Sequence, residues 1–416
     1  MKRYDEYKDS GVEWIGEVPR HWEVVRTRYL CNLCTGNKDT INRVDDGKFP
    51  FYVRSPKVER INTYSFDGEA ILMAGDGVGA GKVFHYANGK FDYHQRVYNF
   101  HNFKKVIGKF FYYYITNNFR YIIEEGGAKN TVDSVRLYMI QNFLITVPPK
   151  EEQREIVFYL DKKCSEIDNV ISAQQKRIAL LQELKQSVIT HAVTKGLNPN
   201  VEMKDSGVEW IGKIPASWDV VHLKRILREH MQYGANEPAE SDDTTYPRYI
   251  RITDITANGE LRPETFKSLE PSKAKDYLLD KGDVLFARSG ATVGKTFLFN
   301  ADIKACYAGY LIKASCDKRR MLPEYLYYYT QSGAYECWKN SVFIQSTIQN
   351  IGADKYQMMY IPVPSKDEQK QIVEYTMRKS QIFDAAISKA QHQVELLQEY
   401  KQSLITEVVT GKRKVS

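Results

Sequence analysis

The chain has 416 residues, 43% hydrophobic and 27% charged, with a formal net charge of +7. That length exceeds one typical core of ~100–200 residues, so two or more domains are expected, and the apolar content excludes wholesale disorder. The charge admits a polyanionic partner without demanding one. The N-terminal MKRYDEYKDS has no apolar h-region and no window approaches the ~18 apolar residues of a membrane span, so a cytoplasmic location with no membrane contact is expected. Among the six cysteines, Cys31 and Cys34 form the one C-x-x-C pair, with no second pair and no H-x₃₋₅-H to complete a zinc tetrahedron. Both are expected in core positions of a protein from a reducing compartment.

An internal repeat governs the organisation. KDSGVEWIGEVPRHWEVV (8–25) returns 196 residues later as KDSGVEWIGKIPASWDVV (204–221). VPPKEEQREIV from Val147 returns as VPSKDEQKQIV from Val363, and LLQELKQSVIT from Leu180 as LLQEYKQSLIT from Leu396, both offset by 216. Between these constant ends the two units diverge. FYVRS (51–55) stands opposite RYIRI (248–252), which pairs Arg54 with Arg251, and the second unit carries a 17-residue insertion between Ile252 and Lys281. Its abundance of turn formers predicts an added loop or hairpin. The repeated Trp14, Trp22, Trp210 and Trp218 read as packing anchors of the constant frame.

In each unit a glycine-rich turn follows, GEAILMAGDGVGAGKVF in the first and GDVLFARSGATVGKTF in the second. The second resembles a phosphate loop, but only three residues separate Gly290 from Gly294 where a Walker A loop needs four. The pattern instead predicts a strand, Val284-Leu-Phe-Ala, leaving through a glycine turn into Thr296-Phe-Leu-Phe, with Lys295 exposed at the bend. Such a turn can present Arg288, Ser289 and Lys295 to a phosphate backbone or a base edge. Aromatic and basic residues interleave around Arg54, Arg96 and Arg251, and Lys82 occupies the first turn. Arg54, Lys82, Arg96, Arg251, Arg288, Ser289 and Lys295 are therefore the candidate DNA contacts. The Tyr112–Tyr114 and Tyr327–Tyr329 runs lie in helical context and are expected in the core.

Each unit ends in a long heptad series. The a/d positions Val157, Leu160, Cys164, Ile167, Ile171, Gln174, Ile178, Leu181, Lys185 and Val188 are apolar at eight of ten, and the copy from Val373 to Leu404 at seven of ten. Prolines precede both helices, and Gly196 and Gly411 follow them. Two seams of this length in one chain predict an antiparallel intramolecular coiled coil. A helix of ~40 residues at ~1.5 Å per residue spans about 60 Å and can hold two globular domains apart. On B-DNA, half-sites recur every ~34 Å along one side, so a rigid spacer with two divergent domains suits an interrupted, asymmetric sequence.

The sequence lacks the D/N-P-P-Y/F tetrapeptide that would hold a flipped adenine, an F-x-G-x-G methyl-donor motif, H-E-x-x-H and an intact P-loop, which argues against catalysis in this chain. Two alternatives are a single-chain methyltransferase or nuclease, which needs a donor or metal site, and a coiled-coil scaffold, which gives no reason for divergence confined to the inserts.

The whole chain resembles the specificity subunit of type I restriction-modification enzymes. The carriers are the doubled G-V-E-W-I-G-x-[VI]-P-x-x-W (Gly11–Trp22, Gly207–Trp218), the glycine-turn segment from Gly282, the Glu152-Gln153 and Glu368-Gln369 pairs after the prolines, and the closing L-L-Q-E-x-K-Q-S helices. The resemblance implies a non-catalytic subunit of α+β class, in which two α/β target-recognition domains are joined by an antiparallel coiled coil with pseudo-twofold symmetry. Residues 1–150 and 197–364 would form the recognition domains, and 151–196 and 365–416 the helices. Its implied partners are bipartite double-stranded DNA, two modification subunits that methylate adenine N6, and restriction subunits. S-adenosylmethionine, ATP and Mg belong to those partners and no cofactor to this chain. The first turn departs from the family pattern, with Met73-Ala-Gly-Asp where the second has Phe286-Ala-Arg-Ser.

Overall fold

A computed structural model describes residues 2–125, 134–256, 259–344 and 350–415. Two long helices run through it, α1 (Lys150–Lys195) and α2 (Lys366–Val409), and the chain divides into two compact units. The first comprises Met1–Gln174 with His392–Ser416, and the second Gln175–Gln391. Each unit thus takes in part of both helices.

In the first unit a six-stranded sheet runs in the order Asn32–Thr35, Val97–His101, Phe66–Ala74, Phe84–Tyr93, Phe49–Tyr52, Glu59–Ile61. Its centre is the antiparallel hairpin of Phe66–Ala74 and Phe84–Tyr93, whose last pair, Met73 opposite Phe84, leads into the glycine turn. Phe49–Tyr52 runs parallel to the end of that hairpin, with Phe51 opposite Asp92 and Tyr52 opposite Tyr93. Helix Gly108–Asn118 covers one face with Phe110, Phe111 and Tyr114. The same hydrophobic cluster takes in Ile156, Leu160 and Cys164 of α1 and Leu404, Ile405, Val408 and Val409 of α2, so the two helix segments close one core. Lys401 Nζ, 2.7 Å from both oxygens of Asp168, ties them together.

The second unit repeats this plan. Gln232–Tyr233, Leu311–Ala314, Val284–Ala287 and Thr296–Leu298 form an antiparallel sheet, and Arg248–Ile250 pairs in parallel with Ala305–Tyr307. Ile189, Ala192 and Val193 of α1 share its core with Ile372 of α2, and Lys185 pairs with Asp384 at 2.7 Å. Every a/d position named for α1, and its counterpart in α2, is buried or half-buried.

The constant ends form one hydrogen-bonded frame built twice. Trp22 and Trp218 are fully buried, and each indole Nε1 donates to a glutamate of the following helix, Glu152 or Glu368, at 3.1 Å. Gln153 accepts from the Ile107 N–H (2.7 Å) and donates to the carbonyls of Lys105 (3.0 Å) and Pro148 (2.8 Å). Gln369 makes the matching set with Leu322 (2.8 Å), Arg320 (2.9 Å) and Pro364 (3.0 Å). Trp14 stacks on Tyr121 and Phe143.

Three expectations are refined. The insertion after Ile252 forms a loop of short helical turns, Pro263–Thr265, Pro271–Ala274 and Lys275–Tyr277, with isolated bridges between Ile255 and Leu261, from Ser268 to Ser241 and Arg248, and from Leu278 to Cys306; its residues 257 and 258 lie outside the described residues. Cys34 is exposed, because strand Asn32–Thr35 turns its sulfur to Tyr93 Oη (3.2 Å) on the sheet surface; Cys31 is buried, and burial pushes its thiol up to about 12. The pairing of Arg54 with Arg251 also shifts. Tyr52 and Ile250 occupy the same register against Tyr93 and Tyr307, so Arg54 is equivalent to Ile252, and Arg251 to Val53.

Candidate nucleic-acid interface

The glycine turns share a backbone. In the first, the Gly81 N–H donates to the Ala74 carbonyl at 2.9 Å, and in the second the Gly294 N–H donates to Ala287 at 2.9 Å. Gly81 and Gly294 have φ of +63° and +82°, a region that L side chains rarely enter, which explains a glycine at this place in both copies. The next residue is pinned from two sides. Gly75 N–H donates to Arg96 O (2.9 Å) and its carbonyl accepts from Val135 (2.8 Å); Arg288 does the same with Tyr310 (3.0 Å) and Ile351 (2.8 Å). These bonds identify structurally equivalent positions without reference to side chains.

At those positions the chemistry differs. The first unit carries Gly75, Asp76, Gln95 and Arg96, and the second Arg288, Ser289, Gly309 and Tyr310. In the first, the Asp76 carboxylate bridges two guanidiniums, Arg54 Nη1 at 2.9 Å and Arg96 Nη1 at 3.1 Å. Arg54 and Arg96 are 44% and 63% exposed, while Asp76 lies between them at 15%. Beneath, burial and then the Arg54 charge hold His94 below the ordinary imidazole range. Its Nδ1 accepts from the Arg96 N–H at 2.9 Å. Val78, 90% exposed, and the exposed Lys82 lie on the same turn.

In the second unit the Arg288 guanidinium lies 4.9 Å from the ring centroid of Tyr233, a cation–π contact, and Tyr310 is 67% exposed. Ser289 sits beside it in a backbone bridge to Asn350, and Lys295 is exposed. Arg251 is committed elsewhere. It grips the buried Asp254 through Nε (3.1 Å) and Nη2 (2.7 Å) and donates to the Thr265 carbonyl (2.8 Å), tying the insertion to the parallel strand.

The structure thus gathers Arg54, Arg96 and Lys82 around one turn and Arg288, Ser289 and Lys295 around the other, and separates Arg251 from them by its internal ion pair. Asp76, Tyr233 and Tyr310 were not among the sequence candidates. Asp76 was visible only as a departure from Arg288-Ser289, and the tyrosines carried no signal among 29 tyrosines. Among the described residues there is no group of three or more His, Cys, Asp or Glu side chains able to hold a metal ion, and no helix long and apolar enough to cross a membrane.

A family model for the type I restriction modification DNA specificity domain matches twice, at residues 19–180 and 215–395. The specificity subunit of the type I restriction enzyme EcoDI from Escherichia coli is 22% identical over 375 residues, covering 86% of this chain and 81% of that protein. The MjaVIII specificity subunit from Methanocaldococcus jannaschii is 23% identical over 417 residues, 96% of this chain and 94% of that one. A chain from a solved structure on complex assembly and conformational transition of the type I R-M system superposes with a TM-score of 0.68 at 16% identity, over 94% of this chain and 98% of that chain, which establishes a common fold.

Proposed function

The chain belongs to the type I restriction-modification DNA specificity family, and from that premise we propose that it is the non-catalytic subunit that selects the DNA site, each unit reading one half of an interrupted, asymmetric target. The observation that carries this reading is the contrast between the two turns. One hydrogen-bonded frame presents Asp76, Gln95 and Arg96 in the first unit and Ser289, Gly309 and Tyr310 in the second. A purely structural repeat has no need of different donors and acceptors at equivalent exposed points, whereas two different half-sites require them.

In this reading Arg54, Arg96 and Lys82 face the first half-site, and Arg288, Ser289 and Lys295 the second. Arg251, bound to Asp254 and the Thr265 carbonyl, faces neither and instead holds the insertion in place. The heptad series of α1 and α2 support an antiparallel spacer that sets the gap between halves. Two modification subunits dock on the frame, and restriction subunits join for cleavage. The methyl donor, ATP and Mg are bound by those partners, in the cytoplasm.

The chain purified with its modification subunits is offered a library of random duplexes, and bound sequences are read. Two short fixed elements at constant separation are expected. Enrichment of one undivided motif, or of none, overturns the proposal.

A further inference from the structure

The Arg54–Asp76–Arg96 group has an unexpected member. A carboxylate on a surface that meets phosphates is repelled by them, so a DNA face that keeps one needs a use for it. Asp76 is held rigidly for such a use. Its backbone follows the pinned Gly75, its Oδ1 accepts a hydrogen bond from Arg54 Nη1 at 2.9 Å, its Oδ2 forms an ion pair with Arg96 Nη1 at 3.1 Å, and it remains 15% exposed between them. A carboxylate offers about four lone-pair sites and a guanidinium five donors, so the two contacts leave every member of the group with capacity to spare.

We propose that Asp76 is a specificity-determining residue that accepts a hydrogen bond from the exocyclic amino group of a cytosine in the major groove, while Arg54 or Arg96 donates to the guanine paired with it. The chemistry selects this base pair. Cytosine presents its N4 donor without a neighbouring acceptor, whereas adenine presents N6 beside N7, and N7 repels a carboxylate. Guanine offers O6 and N7, both acceptors suited to a guanidinium, on the other half of the same pair. The arrangement therefore reads both edges of one C·G pair. Ser289, at the equivalent place, has no such charge, so the requirement falls on the first half-site alone.

This inference rests on the proposed function and is tested with the same library. Asp76→Ala is expected to lose about tenfold discrimination at one C·G position of one half-site, with the other half unchanged. Asp76→Asn keeps the shape but only one of the two arginine contacts, since its NH2 cannot accept from a guanidinium, and its amide matches adenine N6 and N7, so preference at that position is expected to move from C·G to A·T. If the native chain enriches an interrupted motif and both variants enrich the same motif, or Asp76→Ala weakens all sequences evenly, the inference is overturned and the proposed function stands. If the native chain enriches no interrupted motif, the proposed function itself has failed.

Discussion

Replacing Gln153 by alanine tests the frame on which both turns depend. The side chain is fully buried and serves three backbone groups, the Ile107 N–H and the carbonyls of Lys105 and Pro148. An unpaired buried polar group costs about 1–3 kcal/mol. The carbonyl of the exposed Lys105 can recover a water partner, which leaves two groups and the vacated volume of the side chain. The expected loss is about 3–5 kcal/mol, confined to the first unit. Because every ~1.4 kcal/mol is a factor of ten, protection of the Ile107 amide against hydrogen exchange should fall by about 10² to 4 × 10³. The matching substitution Gln369→Ala should do the same to the Leu322 amide and leave Ile107 protected. Gln153→Glu should not rescue, since an ionised carboxylate cannot donate to either carbonyl. A drop below tenfold at Ile107, or equal effects in both units from one substitution, would mean that Gln153 does not hold this frame.

Other substitutions separate steric, electrostatic and assembly roles. Gly75→Arg, which copies the second turn into the first, places a Cβ 2.8 Å from the Tyr98 ring; an overpacking cost of about 1–3 kcal/mol is expected in urea denaturation. Arg251→Ala leaves the buried Asp254 carboxylate without its cation, at a cost of about 3–5 kcal/mol, and should lower the melting temperature by roughly 6–20 °C. Arg54→Ala, at an exposed pair, should cost less than about 1 kcal/mol in the same assay and show its effect in DNA binding. Residues 1–200 alone lose Leu404, Ile405, Val408 and Val409 from the first core but retain their repeat counterparts Val188, Ile189, Ala192 and Val193. That fragment should dimerise and, with modification subunits, select a palindrome of the first half-site; sedimentation as a monomer would count against the exchange.

The long helices were legible because a seam of ten a/d positions is a strong periodic signal, and each of those positions is buried or half-buried in the structure. The heptads name each helix as the other's partner, but not which globular core the helix ends also close. That Leu404 and Val409 close the same core as Ile156 and Leu160 follows from folding the end of α2 back on the first unit. The strand register was misjudged for a related reason. FYVRS and RYIRI match best with their arginines aligned, but Phe51 and Tyr249 are the buried residues that share a register, and burial outweighs the likeness of exposed charges. Cys34 was misplaced because the strand beginning at Asn32 turns it to the surface while Cys31 stays in the core. Arg251 looked like a surface cation because its partner Asp254 lies in a divergent insertion with no counterpart to compare. Asp76 shows the opposite limit. A single residue opposite Ser289 reads as a lapse from a pattern until the two guanidiniums that hold it are placed in space.

The most direct measurement is a map of N6-methyladenine across the genome by single-molecule sequencing, in the native host and in a strain lacking this gene. One interrupted motif, two short halves with a fixed gap, is expected to lose its methylation on deletion while all other motifs persist. Identical maps in the two strains, or loss of a single undivided motif, would contradict the proposed role.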